Sequence, residues 1–381
     1  MAYFDNAATT FPKPECVYDS MNQYYRNNGG SYGRGDNAFS NSAKGLVEQT
    51  RQAIQRLLHC PAKQVVFQPS ATISLNVIIQ GVIANGAKNI YISPFEHNAV
   101  TRVLHHYESE GKIKVNVLTV GKDFVYDLQR IQFQFDDEKP DLVIMSHASN
   151  VIGVIAPVSE VFALAKKYNA TTLVDMAQTA GLVDLNVGQD NIDFAVFAGH
   201  KTMYGPTGIS GFVMKPTYKL SPVLFGGTGF DSANQDMPSS LPERFEIGTM
   251  NSQGVAGLYA ALQWIKEQGV NALLQKEQQN RQRLIELLQS YSFLNVIGNS
   301  DRANYVGIVS CTIDEISSDI AGQLFAERDI AVRTGLHCAP SAHKFLGTFP
   351  AGTIRFSTSH FTSDNDFEML RSSLDDISDN L

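Results

Sequence analysis

The sequence predicts an α/β protein, with a large domain built on a mostly parallel sheet and a small C-terminal α+β domain. Three observations carry this expectation. Apolar runs of strand length alternate with amphipathic helical stretches through most of the chain. The character of the chain changes near Ser252. At 381 residues it also exceeds what one ordinary hydrophobic core holds, which favours two domains.

In chain order, strands are expected at Val65–Phe67, Ile90–Ile92, Leu142–Met145, Leu173–Val174, Phe194–Phe197 and Gly211–Met214. Val161, Leu164, Ala165 and Tyr168 lie at helical spacing between two of them. Repeated strand–helix–strand units imply a parallel sheet with helices on both faces. Beyond Ser252, a helical run through Leu258, Leu262 and Ile265 precedes a second, polar-rich helix from about Leu273 to Leu288, which bridges to the C-terminal domain. Strands are then expected at Val306–Cys311, Ile330–Val332 and Thr353–Phe356. The expected boundaries are residues 1–15 for a segment packing with the small domain, 16–255 for the large domain and 256–381 for the bridging helix and small domain. Gly-rich loops at residues 28–35 and 226–229 are of the kind that border sites. No internal repeat or low-complexity tract interrupts the pattern.

Composition narrows the function classes. A hydrophobic share of 43% with 18% charged residues is ordinary for a globular protein, and no apolar run is long enough to cross a bilayer. The first residues have neither the basic start nor the apolar stretch of a secretory signal, so a soluble, cytoplasmic protein is expected. A net charge of -8, with no Lys/Arg-rich stripe, argues against nucleic acid as a partner. Cys16, Cys60, Cys311 and Cys338 are scattered, with no spacing that suggests a metal site or dithiol motif, and free thiols are expected.

The chemistry begins at Asp175, which ends the run Thr171–Val174 and is followed by Gln178. Ligands in open parallel sheets sit at the carboxyl ends of strands, so Asp175 is placed where a cofactor binds; a turn or N-cap role is the alternative. Lys201 follows another strand in the Gly-rich turn Gly199–Gly208, either solvated or held desolvated as a nucleophilic amine. Together the two residues match the needs of pyridoxal 5′-phosphate (PLP): a lysine for a Schiff base and a carboxylate that keeps the pyridine nitrogen protonated. A phosphate cradle is offered by Pro69–Asn76, where a strand gives way to an apolar-periodic helix whose N-terminus favours an anion. Thr72 adds a hydroxyl there, or serves as a simple N-cap, and His200 offers a further donor.

The strings Phe4–Thr10, Glu96–Asn98, Ser149–Asn150, Val174–Gln178, Gly199–Lys201, Arg244–Thr249 and Arg333–Ala339 resemble those of class V aminotransferase-fold enzymes, in particular cysteine desulfurases and selenocysteine lyases. They follow the family's order and, with Arg355, span nearly the whole chain. The resemblance implies the PLP-dependent transferase fold of type I. It also implies that Lys201 carries PLP, His97 stacks on the ring and assists proton transfer, Asp175 pairs with the ring nitrogen and Gln178 with the phenolic oxygen. Asn150 then faces cofactor and substrate, while Thr72, His200 and Thr249 hold the phosphate. Thr249 reaches across from a second subunit, so a homodimer with shared sites is implied. Ala198 departs from the pattern, since the family often has a phosphate-binding serine there.

Arg355, in Thr353–Ser357, stands where the resemblance implies the family's substrate-binding arginine, whose planar guanidinium would grip an α-carboxylate through two parallel bonds. A salt-bridged strand arginine is the alternative. Cys338 lies between Gly335 and Pro340 and so in a loop, whereas Cys311 reads as a strand residue. A reactive thiol is accessible and partly ionised, which singles out Cys338. The implied reaction is desulfuration of L-cysteine to L-alanine, with a persulfide left on Cys338 for a protein acceptor. A selenocysteine lyase or another C–S lyase acting on L-selenocysteine or a related substrate is the nearest alternative, and a non-catalytic PLP-binding protein is the alternative from another class.

Overall fold

The computed structural model describes residues 1–32, 35–230 and 233–380, so residues 33 and 34 of the first Gly-rich loop lie outside the described residues. The elements, in chain order, are β1 (Ala2–Tyr3), α1 (Glu15–Asn27), α2 (Ala38–Leu57), β2 (Gln64–Gln68), α3 (Ala71–Ala84), β3 (Asn89–Ile92), α4 (Asn98–Ser109) and β4 (Lys114–Val117). They continue with α5 (Leu128–Asp137), β5 (Leu142–Ser146), α6 (Val158–Lys166), β6 (Thr171–Asp175), β7 (Phe194–Ala198), β8 (Ser210–Met214), α7 (Ser252–Gln268) and α8 (Val270–Gln289). The last are β9 (Leu294–Ile297), β10 (Ile308–Ile313), α9 (Ser318–Ala326), β11 (Ile330–Ala331), β12 (Arg333–Gly335), α10 (Pro340–Leu346), β13 (Thr353–Ser357) and α11 (Asp364–Asp379).

Strands β5, β7 and β8 are buried at every position, which is why their sequences are almost continuously apolar. They lie in a seven-stranded sheet of order β2-β8-β7-β6-β5-β3-β4. All neighbours are parallel except β8, which runs antiparallel to both β2 and β7. The carboxyl ends of β2, β3, β5, β6 and β7 therefore share one edge. At that edge the chain turns into the segments carrying Thr72, His97, Asn150, Asp175 and Lys201, as expected for ligand sites in open parallel sheets.

A second, antiparallel sheet has the order β12-β13-β10-β9 and closes a separate apolar core with α9, α11 and the end of α8. Helix α8 links the two cores, since Leu273 packs in the first while Leu284, Ile285 and Leu288 pack in the second. The N-terminal segment does the same near the site. Strand β1 pairs with β11 and Phe4 packs in the second core, whereas Thr10 donates from its backbone amide to the His200 carbonyl at 3.1 Å and from its hydroxyl to the Lys201 carbonyl at 2.8 Å. Among the described residues no helix is long and apolar enough to cross a membrane.

Besides the two-residue β1, three strands lack the apolar runs used to find the others. β4 is an edge strand with no buried residue, β9 is an edge strand buried only at Leu294, and β12 is half-buried throughout. An edge strand is covered on fewer sides and has less need of apolar residues. The helix through Val161 stops at Lys166, before Tyr168, because Asn169 takes a left-handed conformation at φ 60°. The run at Val306 becomes a strand only from Ile308, since Gly307 packs against Glu277 and Thr358 and its amide donates to Glu277 Oε2.

Glu277 is fully enclosed where α8 meets this segment, and burial pushes its carboxyl up to about 8. A carboxyl whose folded-state value lies above its unfolded one stabilises fully below the unfolded value, and that contribution is lost as pH rises through the folded value. Glu277→Gln is therefore expected to gain stability over the parent on the order of 4 kcal/mol between pH 4 and pH 9. Denaturant unfolding of both proteins at the two pH values measures it, and a pH-independent difference counts against the assignment.

Candidate active site

A cavity opens at the carboxyl edge of the large sheet. Thr72, His97, Asn150, Asp175, Gln178, Ala198, His200 and Lys201 all line it. They arrive on five separate segments of the chain, so the convergence belongs to the fold.

Helix α3 presents its N-terminus to the cavity. Ser70, not Thr72, is its N-cap, accepting from the Ile73 amide at 3.3 Å, and Thr72 lies in the first turn with its side chain exposed. That leaves the first-turn amides and the Thr72 hydroxyl facing an open anion position. On the far side, His200 Nδ1 is buried without a hydrogen-bond partner. Burial holds the His200 imidazole down at about 4, so the ring is neutral and one nitrogen can donate. Ala198 places only a methyl group at this end of the cavity.

Asp175 ends β6 and is buried, with one oxygen, Oδ1, accepting from the Ala177 amide at 2.9 Å. Burial raises its carboxyl above the usual range, opposed by that amide and by the nearby Lys201 ammonium. A cationic partner in the cavity would offset the cost of ionising it. Gln178 donates from Nε2 to the Ala7 carbonyl at 2.9 Å, which ties the N-terminal segment to the cavity wall.

Lys201 is half-buried in the cavity wall, and burial lowers its amine to about 8, with Asp175 pulling the other way and Arg355 and Arg333 adding to the decrease. Its backbone is held by a clamp that the motif strings did not reveal. The His200 carbonyl accepts from Thr9 Oγ1 at 3.1 Å and from Lys13 Nζ at 2.6 Å, beside the Thr10 bonds described above. The lysine therefore projects from a fixed turn.

His97 caps α4: its Nδ1 accepts from the Ala99 amide at 3.0 Å, which leaves the proton on Nε2. Burial and the nearby Lys201, Arg333 and Arg355 cations hold the ring at about 4, and hence neutral. The preceding Glu96 explains the rest of its motif. Completely buried, it accepts from the hydroxyl of Ser93 and from the amide and hydroxyl of Ser146, and so fixes the turn bearing His97 to the end of β5.

Arg355 does not line the cavity; it is 1% exposed and approaches it through Asn150. Nη1 donates to the Asn150 carbonyl at 2.9 Å and Nη2 to Asp5 at 2.7 Å, while Nε has no partner. A buried guanidinium with a spare N–H suits a carboxylate arriving from the cavity. The salt bridge to Asp5 holds the side chain while leaving that donor free.

Cys338 lies in a turn between β12 and α10, as its Gly and Pro neighbours predict. It borders an adjoining groove shared with Thr72, His97 and Asn98, and it lies near Lys201 and Arg355. Its carbonyl accepts from the Asn98 amide at 2.7 Å, and the His337 carbonyl accepts from Asn150 Nδ2 at 2.7 Å. Both His337 and Cys338 adopt positive φ, 48° and 58°. Two polar bonds therefore hold an unusual backbone at the mouth of the cavity. Cys60 and Cys311 are buried, and burial pushes their thiols up to about 11 and about 12, which makes them poor nucleophiles.

Thr249 is exposed and borders a different cavity, with Tyr32, Thr228 and Glu246. Glu246, in the same motif, anchors this segment to β2 by pairing with Arg51 at 2.7 Å and accepting from the Phe67 amide at 2.7 Å. The second Gly-rich loop, through Thr228, borders this cavity and not the one holding Lys201.

Comparison with known proteins identifies the family. The aminotransferase class-V family model matches residues 2–370. A probable cysteine desulfurase of Halalkalibacterium halodurans is 30% identical over 98% of this chain and 92% of its own. A cysteine desulfurase of Escherichia coli O157:H7 is 30% identical over 89% of this chain and 84% of its own. The apo structure of the cysteine desulfurase of Thermococcus onnurineus superposes with a TM-score of 0.91 at 27% identity, covering all of this chain and 95% of that one.

Proposed function

This chain belongs to the aminotransferase class-V family, with the type I fold of its PLP-dependent members, and on that basis we propose that it is a cysteine desulfurase that converts L-cysteine to L-alanine. The observation that carries the reading is the convergence of Lys201, Asp175 and His97 on one cavity with Cys338 at its mouth. The same cavity fits PLP: the open α3 N-terminus and the unpartnered His200 nitrogen suit a phosphate, and the buried Asp175 carboxylate suits a protonated ring nitrogen.

In this reading Thr72, His200 and the first amides of α3 hold the phosphate, Asp175 and Gln178 engage the ring, and His97 covers its face. Bound PLP supplies an electron sink for the bond broken at the substrate α-carbon. Lys201, with its amine lowered toward neutrality, takes the α-proton and returns one later. Arg355, held by Asp5, binds the substrate α-carboxylate beside Asn150 and so fixes which bond faces Lys201. Cys338 attacks the substrate sulfur as thiolate. The balance is L-cysteine plus the Cys338 thiol giving L-alanine plus a Cys338 persulfide, which passes to a protein thiol.

The reading extends to a homodimer in which Thr249 completes the phosphate site of the partner. Two features support it: Thr249 lies outside its own chain's Lys201 cavity, and exposed Phe225 and Phe230 lie in the same region of the chain. Incubation of the PLP-loaded protein with L-cysteine is expected to yield alanine and a persulfide that mass spectrometry maps to Cys338. Absence of alanine from both L-cysteine and L-selenocysteine would overturn the enzyme reading.

A further inference from the structure

The guanidinium of Arg333 raises a question that the motif strings leave open. It is half-buried on β12, and its Nη2 donates to Cys338 Sγ at 3.2 Å. That is the one side-chain bond it makes among the described residues, and no carboxylate there lies within ion-pair distance of it. Buried or partly buried charges are normally paired, because desolvation without a counter-charge is costly. Around it the other groups are cationic or neutral: Arg355 lies directly opposite on β13, Lys201 is close enough to feel its charge, and His97 and His337 are both held neutral by burial. Asp5 is committed to Arg355.

We propose that Arg333 is a catalytic residue that acts as the counter-ion of the sulfur on Cys338, first of the attacking thiolate and then of the terminal persulfide anion. The inference rests on the reading of Cys338 as the sulfur-accepting thiol and assigns that thiol its charge partner. A charge-assisted N–H···S bond favours the ionised sulfur and aims it, while the left-handed backbone at Cys338 and the Asn98 bond to its carbonyl keep Sγ within reach. The chain thereby separates two arginines that face each other across a strand pair: Arg355, enclosed and braced by Asp5, serves a carboxylate, and Arg333, with no carboxylate beside it among the described residues, serves sulfur.

Thiol reactivity tests this without turnover. Full-length protein is alkylated with iodoacetamide from pH 5 to pH 9, and modification at Cys338 is followed by peptide mass, with Cys338→Ala as the blank. Arg333→Gln is expected to slow alkylation at pH 7 by about tenfold and to move the profile to higher pH, whereas Arg333→Lys restores most of the rate. In steady state with L-cysteine, Arg333→Gln should lower kcat with little change in KM. Alkylation of Arg333→Gln at the parent rate across the range overturns the proposal. So does a raised KM with unchanged alkylation, which would make Arg333 a carboxylate ligand. Because alkylation needs neither PLP nor substrate, a failed proposal is distinguishable from a failed desulfurase reading.

Discussion

Lys201→Ala is expected to lower alanine formation from L-cysteine by about 10³–10⁴-fold, the scale of a lost general base that is also the cofactor's anchor. The fold should survive, because the clamp on this turn uses the backbone carbonyls of residues 200 and 201 and no side-chain atom of Lys201. PLP should still bind through the phosphate and ring contacts but become removable by dialysis. Sodium borohydride should fix the cofactor to the Lys201 peptide in the parent protein and to no peptide in the variant. A pH dependence follows from the burial that lowers the Lys201 amine to about 8. Capture of added PLP by apo-protein requires the neutral amine, so its rate should rise from pH 6.5 and level off above about pH 8.5. A rate still climbing steeply beyond pH 10 would show an ordinary solvated lysine.

Cys338→Ala should abolish sulfur release from L-cysteine, with a loss of about 10³-fold or more, as for other covalent nucleophiles. Its PLP content should be unchanged, because Cys338 touches the groove at the cavity mouth and none of the cofactor-facing residues depends on its side chain. The buried Cys60 and Cys311 cannot substitute, since their thiols are pushed far up by burial. Assaying the variant with L-selenocysteine as well separates two chemistries. Loss with cysteine and retention with selenocysteine would identify a selenium lyase that needs no thiol. Turnover of L-cysteine at the parent rate would remove Cys338 from the mechanism.

Much of the site was legible because its residues lie in short strings whose local setting already limits what they can do. Asp175 ends an apolar run and Lys201 sits in a Gly-rich turn after another; once the runs are strands of one parallel sheet, both residues reach the same edge. Cys338 was legible from the Gly and Pro that bound its turn. Thr72 was harder. A threonine at a helix start reads equally as a cap or a ligand, and the choice fell to Ser70, two residues earlier, whose hydroxyl takes the Ile73 amide and leaves Thr72 free. Glu96 and Glu246 stood inside these motifs without a role, because the partners that tie them to distant segments, Ser146 and Arg51, are 50 and 195 residues away in sequence.

By itself, then, the sequence determined the alternation of buried strands and helices, the acidic strand end, the lysine turn and the loop cysteine. These follow from hydrophobic periodicity and from the backbone preferences of Gly and Pro, which act over a few residues. The tertiary structure decided which groups meet. It reversed β8 within the sheet, braced Arg355 with an aspartate from the N-terminal segment, and set Arg333 against a sulfur five residues along the chain. Even that short separation is not readable as a contact, because it depends on a positive-φ turn held by bonds from Asn98 and Asn150. Burial then set the ionisation of Lys201, His97 and Asp175, since desolvation depends on everything packed around a group and no local string records it.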